Sequence, residues 1–201
     1  MEIDPDMPIR MVPFAGIDFE SAGDLPGFTD VPVQVGMAWL GPATICPTPQ
    51  NLFRSYLRTE RPVTWQASKV HGIRTADLKD APALTDLWLT FTGHLTDRVI
   101  VAHQSSTEKR FLRHFPLHPF GPWVDTLDIA RKLYPGLGDY SLSGLCEDFG
   151  VTESVRVLCP DWNFHDACFD AVASLVLLGA MVESAGIHEM ALRVLLDLTR
   201  A

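Results

Sequence analysis

The chain has 201 residues, 47% of them hydrophobic and 20% charged, with a formal net charge of −9. That size and balance suit one folded, soluble domain and exclude disordered, fibrous and low-complexity classes. The acidic total argues against a broad basic surface that holds nucleic acid by counterion release alone, so any such contact is expected to be local.

The N-terminus (Met1, Glu2, Ile3, Asp4) lacks a basic stretch followed by an apolar one, and no secretory signal is read there. Residues 11–19 (MVPFAGIDF) and 31–40 read as two strands, and residues 51–57 as a third after the turn at Pro42, Pro47 and Pro49. A three-stranded antiparallel meander is the simplest assembly. The four cysteines, Cys46, Cys146, Cys159 and Cys168, contain no Cys-x-x-Cys pair and are read as free thiols in a reducing compartment.

From Leu84 the period changes: Leu84, Leu87, Trp88, Phe91 and Leu95 recur at helical spacing. The apolar run 99–102 suits a buried strand, followed by a helix through Phe115 and a short strand around Val124. Asp125 is placed to cap a helix over 126–133, and Ser141 one over 142–149, with Gly150 at the stop. Residues 166–190 and beyond read as helix with a break near Gly186; the apolar run 175–180 is far short of the roughly 20 residues a bilayer needs and reads as a buried helix. A meander followed by strand–helix alternation implies an α/β class, a mixed sheet with helices on both faces. The whole of 1–201 is taken as a single domain, with no membrane partner and a cytoplasmic location.

Three acidic constellations carry the chemistry. Asp18 and Glu20 stand two apart at the end of the first strand, so a period of two aims both carboxylates at one face. They repel there unless a cation neutralises them, or they form an ordinary acidic turn. Glu108 shares a helical stripe with Phe111, Leu112 and Phe115, or else lies in an exposed first turn where the helix dipole favours an acid. His165 precedes a helix capped by Asp166 and carrying Asp170; it either converges with Asp170 from the approaching loop or is a hydrogen-bonded structural histidine. Carboxylates at the ends of three elements, beside a histidine able to take a water proton, suit divalent ions of the Mg²⁺ or Mn²⁺ kind and a phosphodiester cleaved with two of them.

On these residues the chain resembles the DnaQ-like superfamily of exonucleases of the DEDDh type, from about residue 12 to 182. Gly16-Ile17-Asp18-Phe19-Glu20 is similar to the first motif of that family, Val101-Ala102-His103-Gln104 with Glu108 and Phe111-Leu112 to the second, and His165 through Asp170 to the His-x-Ala-x-x-Asp third. Val70-His71-Gly72-Ile73, Asp125-Thr126-Leu127 and Tyr140-Ser141-Leu142 resemble further family patterns. The resemblance implies a ribonuclease-H-like fold with a five-stranded mixed sheet. It implies metals held by Asp18, Glu20, Asp170 and a fourth carboxylate from the second motif, with His165 as general base. It also implies single-stranded 3′ ends as substrate and nucleoside 5′-monophosphates as product. Phe19, Ser21, His71 and Gly72 become candidates for substrate contact. Two positions depart from the family: Gln104 stands where Asn is usual and Glu108 where Asp is usual. A catalytically weakened module that only binds nucleic-acid 3′ ends is therefore the main rival. A non-haem iron oxygenase is disfavoured by the excess of carboxylates. Polymerase or other protein partners, and DNA against RNA, are not readable from the chain.

Overall fold

The computed structural model describes residues 3–44 and 46–199. β1 (Phe14–Ser21), β2 (Pro32–Trp39) and β3 (Leu52–Tyr56) form the antiparallel meander. β4 (Val99–Ala102) and β5 (Trp123–Asp125) add in parallel on the other side of β1, giving the order β3-β2-β1-β4-β5. β1 begins at Phe14 rather than at Met11, because residues 9–11 close a short 3-10 turn in which the Val12 amide returns to the Ile9 carbonyl.

Eight α-helices complete the described chain: α1 (Trp65–His71), α2 (Trp88–Leu95), α3 (Ser106–Leu112), α4 (Thr126–Leu133), α5 (Leu142–Asp148), α6 (Thr152–Leu158), α7 (Ala167–Ser184) and α8 (Arg193–Thr199). The period of two sorts them onto two faces. Ala15, Ile17 and Phe19 of β1, with Val35, Met37 and Ile100, pack against Phe91 and Leu95 of α2 and Phe111 and Leu112 of α3. Phe14, Ala38, Val101 and Val124 point the other way, into a larger core with Phe169, Val172 and Leu175 of α7 and residues of α4, α5, α6 and α8. The result is a three-layer α/β/α arrangement.

Local signals set most boundaries. Asp125 caps α4 by accepting from the Leu127 amide, and Ser141 caps α5 by accepting from Gly144. The helix expected from Leu84 opens as a 3-10 turn over Leu84–Leu87 before α2. The one expected to reach Phe115 ends at Leu112. α7 stops at Ser184, two residues before Gly186 turns the chain at φ 65°. Residues 187–192 are not helical: they lie along the N-terminal segment, with Ile9 N–H donating to Met190 O at 2.9 Å.

α1 escapes the sequence pattern because Trp65 and Val70 are exposed and no apolar stripe marks it; its signal is the cap Thr64, which accepts from the Ala67 amide. α7 is long and apolar enough, by length and composition, to cross a membrane, but 78% of it is buried within the protein, as expected of a core helix.

Candidate active site

Strand register lays out the site. Asp18 of β1, Gly36 of β2 and Arg54 of β3 stand in one cross-strand row, and Glu20, Gln34 and Tyr56 in the next. Cross-strand partners share a face, here the one covered by α7. A Cβ on Gly36 would lie 2.1 Å from backbone atoms of Ala167 and Cys168, and one on Gly16 would lie 2.4 Å from Ala171 O. Only glycine admits such contact, so the first turns of α7 sit directly on the sheet beside Asp18. The pairing of β1 with β2 shifts between Glu20 and Ser21, an irregularity of the kind that re-aims side chains at sites.

The start of α7 supplies the next groups. Asp166 caps the helix, its Oδ1 accepting from Cys168 N at 3.1 Å. Its Oδ2 accepts from Gln34 Nε2 at 2.8 Å and from Arg54 Nε at 2.7 Å. His165 has a left-handed backbone (φ 69°) and an exposed side chain, and its N–H donates to Asp170 Oδ2 at 3.0 Å. Glu20, His165 and Asp170 each present one ligand atom, all within 4.8 Å of one another.

Glu108 is buried, at 3% exposure, which removes the exposed-first-turn alternative. Its helix is delivered by a turn that Asp125 organises: Asp125 Oδ1 accepts from Gln104 N at 2.9 Å and Oδ2 from Ser105 N at 2.7 Å. Gln104 adopts φ 63°, a conformation that Asn reaches more readily than Gln, and its side chain is exposed. His103 links this turn to the start of α5. Its Nε2–H donates to Tyr140 O at 3.0 Å, and its Nδ1 lies in hydrogen-bond contact with Thr126 Oγ1 at 2.9 Å.

The carboxylates disturb one another strongly. Burial first, then the charges of Asp170, Glu108, Glu20 and Asp166, hold the Asp18 carboxyl well above its ordinary value. Glu20 is pushed up to about 8 by burial and by the charges of Asp170, Asp166 and Glu108. Glu108 rises to about 8, chiefly through burial. Asp170 rises to about 7, again through burial, opposed by the His165 N–H. Glu108 Oε2 and Asp170 Oδ1 are buried without a hydrogen-bond partner among the described residues. Crowded carboxylates with orphaned oxygens fit a hard divalent cation, which would satisfy those lone pairs and reverse the repulsion.

A groove of about 560 Å³ opens beside Glu20, lined also by Ser21, Gly23, Thr64, Val70 and His71. His71 Nδ1 accepts from Ile73 N at 3.0 Å, so its Nε2–H donates to Ser21 O at 3.0 Å and fixes α1 against the end of β1. Gly72 turns the chain out of α1 at φ 76°. Its N–H donates to Ser68 O, and it does not line the groove. The Phe19 ring does not line the groove: it is 5% exposed on the opposite face of the sheet, 5.5 Å from Phe111 and 6.2 Å from Phe91. No Lys or Arg lines this groove among the described residues; Arg74 pairs with Asp77 and Arg110 with Asp30, and Lys109 and Arg113 line a separate groove with Arg131. Sequence reasoning misses Gln34 and Arg54. Their signal is a polar side chain on the inward face of a strand, visible only once register is known.

The model of the exonuclease family matches residues 15–178. The DNA polymerase III subunit epsilon of Buchnera aphidicola is 30% identical over 129 residues, 60% of this chain and 52% of that protein. The subunit from Rickettsia typhi is 31% identical over 128 residues, 59% and 53% respectively. The chain spans about half the length of the curated relatives it matches. Among solved structures, exonuclease X in complex with 5′-overhanging duplex DNA superposes with a TM-score of 0.69 at 26% identity, covering 93% of this chain and 99% of that one. The nuclease domain of 3′hExo, a DEDDh family member bound to rAMP, shares the fold with a TM-score of 0.68 at 16% identity, covering 89% and 95%. The chain belongs to the exonuclease family, with a ribonuclease-H-like fold.

Proposed function

We propose that residues 1–201 act as one exonuclease domain that removes nucleoside 5′-monophosphates from the 3′ end of single-stranded nucleic acid, using two Mg²⁺ or Mn²⁺ ions. Asp18, Glu20 and Asp170 are the metal-holding carboxylates, with Glu108 as the fourth. The observation that carries the reading is the convergence of Glu20, His165 and Asp170 ligand atoms within 4.8 Å, beside buried carboxylate oxygens that lack partners. When bound, the ions supply a water of lowered pKa and offset the charge on the leaving oxygen.

The chain's own residues do the rest. His165 is exposed on its loop, within reach of the carboxylates, where a neutral ring nitrogen takes the proton of the attacking water. Ser21 and His71, joined to each other by a hydrogen bond, form a wall of the groove and give the terminal nucleotide a fixed surface. A cytoplasmic setting accords with this reading.

The test is a labelled oligonucleotide, as DNA and as RNA, with a free or a blocked 3′ end, incubated with Mg²⁺ or Mn²⁺ and with chelator. Stepwise shortening from the free 3′ end alone, abolished by chelator and by Asp18→Asn, is the expected result. Cleavage at internal bonds, or degradation that persists in excess chelator, sinks the proposal. Metal-dependent binding of the 3′ end with no shortening instead selects the weakened binding module, the reading that the longer Glu108 side chain favours.

A further inference from the structure

On the α7 face of the sheet, the polar groups that neither hold metal nor meet substrate gather around Arg54. Its Nε donates to Asp166 Oδ2 at 2.7 Å, and its Nη2 to the Tyr56 hydroxyl at 3.3 Å. Its guanidinium also lies 4.8 Å from the Tyr56 ring centroid and 5.4 Å from that of Trp162. The two rings belong to different parts of the fold. Tyr56 is in β3, whereas Trp162 and Asp166 lie on either side of His165 in the segment between α6 and α7. Gln34 completes the arrangement, donating from Nε2 to Asp166 Oδ2 at 2.8 Å and accepting from Ala167 N at 3.0 Å. Asp166 is thus gripped from the strands by one oxygen while the other caps α7.

His165 has few restraints of its own. It is exposed, it has φ 69°, and its backbone N–H is tied to Asp170. An uncommon backbone conformation persists when flanking structure over-determines it. Here the flanks are fixed through Arg54, whose planar guanidinium can meet a carboxylate along its edge while its faces meet aromatic rings.

We propose that Arg54 is a positioning residue for the reaction: it clamps the segment 160–166 to β3 and thereby sets the approach of His165 to the attacking water. The proposal rests on the reading of His165 as the proton acceptor. Arg54 itself touches none of the reacting atoms.

The experiment compares wild type with Arg54→Leu, Arg54→Lys, Asp166→Asn and the double variant Arg54→Leu/Asp166→Asn. Asparagine is as good an N-cap as aspartate, so Asp166→Asn keeps the cap and deletes the charge. In oligonucleotide hydrolysis, Arg54→Leu and Asp166→Asn should each lower kcat about ten-fold, the low end for groups that orient a metal-site residue, with KM little changed. Arg54→Lys should recover part of the loss, and the double variant should be no worse than either single one.

Hydrogen exchange of the metal-free protein gives a readout independent of activity: amides of residues 160–166 should exchange about ten-fold faster in Arg54→Leu, with those of β1 unchanged. Unchanged exchange in that segment overturns the proposal. So does a double variant whose loss is the product of the single losses, or a loss confined to KM. An inactive wild type refutes the exonuclease reading, and hydrogen exchange then decides the clamp alone. Should Arg54→Leu fail to fold, Arg54→Lys and Asp166→Asn take its place in both measurements, with the same results supporting or overturning the clamp.

Discussion

At the level of single residues, the site is dominated by carboxylates that resist ionising together. Burial, with the neighbouring carboxylates, pushes Asp170 up to about 7 and Glu20 and Glu108 up to about 8, from ordinary values of 3.8, 4.5 and 4.5. Between those limits the folded, metal-free protein holds more protons than the unfolded chain, so its stability falls as pH rises through the window. The melting temperature in chelator should therefore decline from about pH 5 to about pH 8, and divalent metal should restore it most at the alkaline end. Glu20→Gln should flatten that decline. A melting temperature in chelator that rises across the window would count against the carboxylate cluster.

Glu108 poses a separate question, because it is buried without a partner for Oε2 among the described residues. Glu108→Ala should raise the metal concentration for half-maximal rate by about 10-fold or more, the scale on which removing even a supporting group alters metal affinity. Glu108→Asp should be only partly active, since the site is shaped around the longer side chain. A metal titration of both variants decides, and an unchanged half-saturation point in Glu108→Ala removes it from the site. Asp18 and Glu20 are legible as candidates because their spacing along β1 places them on one face, and His165 and Asp170 because they flank the capped start of α7. The Phe19 side chain points away from the groove, and the sequence holds the reason: a residue between two carboxylates that share a strand face must point to the other face.

At the level of elements, what the sequence reveals depends on whether the signal is local. Asp125 and Ser141 announce α4 and α5 because a cap is a short-range hydrogen bond. α1 carries no apolar stripe, and residues 187–192 are held by the distant N-terminal segment, so neither can be read from its own window. The seat of α7 on Gly16 and Gly36 is likewise long-range. Gly36→Ala would force a methyl against the backbone of Ala167 and Cys168. Overpacking of this kind costs about 1–3 kcal/mol. The displaced helix should also weaken metal binding, since Asp170 moves with it. Calorimetry with and without metal tests both parts. A variant as stable as wild type, with the same metal affinity, would show that the seat is softer than its geometry implies.

At the level of the whole molecule, the five-stranded mixed sheet and its two-faced helical cover follow from periodicity and the family likeness, whereas the strand order and the position of the site across three strands do not. The net charge of −9 limits how the protein holds its substrate. With Arg74 and Arg110 paired to Asp77 and Asp30, a local contact with two or three phosphates gives a log–log salt slope for single-strand affinity of about −1.5 to −2. Measuring KM against potassium chloride tests this, and a slope near −5 would reveal a broad cationic track.

The cross-strand row of Asp18, Gly36 and Arg54 has a consequence for folding. A slip of one residue in β1 would carry Asp18 and Glu20 to the face packed by α2 and α3, and bring Ile17 and Phe19 under α7. The alignment that buries both cores is therefore the alignment that assembles the chemistry. Misfolded chains of this kind are inert rather than slow, so partial preparations should show fewer working molecules, each turning over at the full rate.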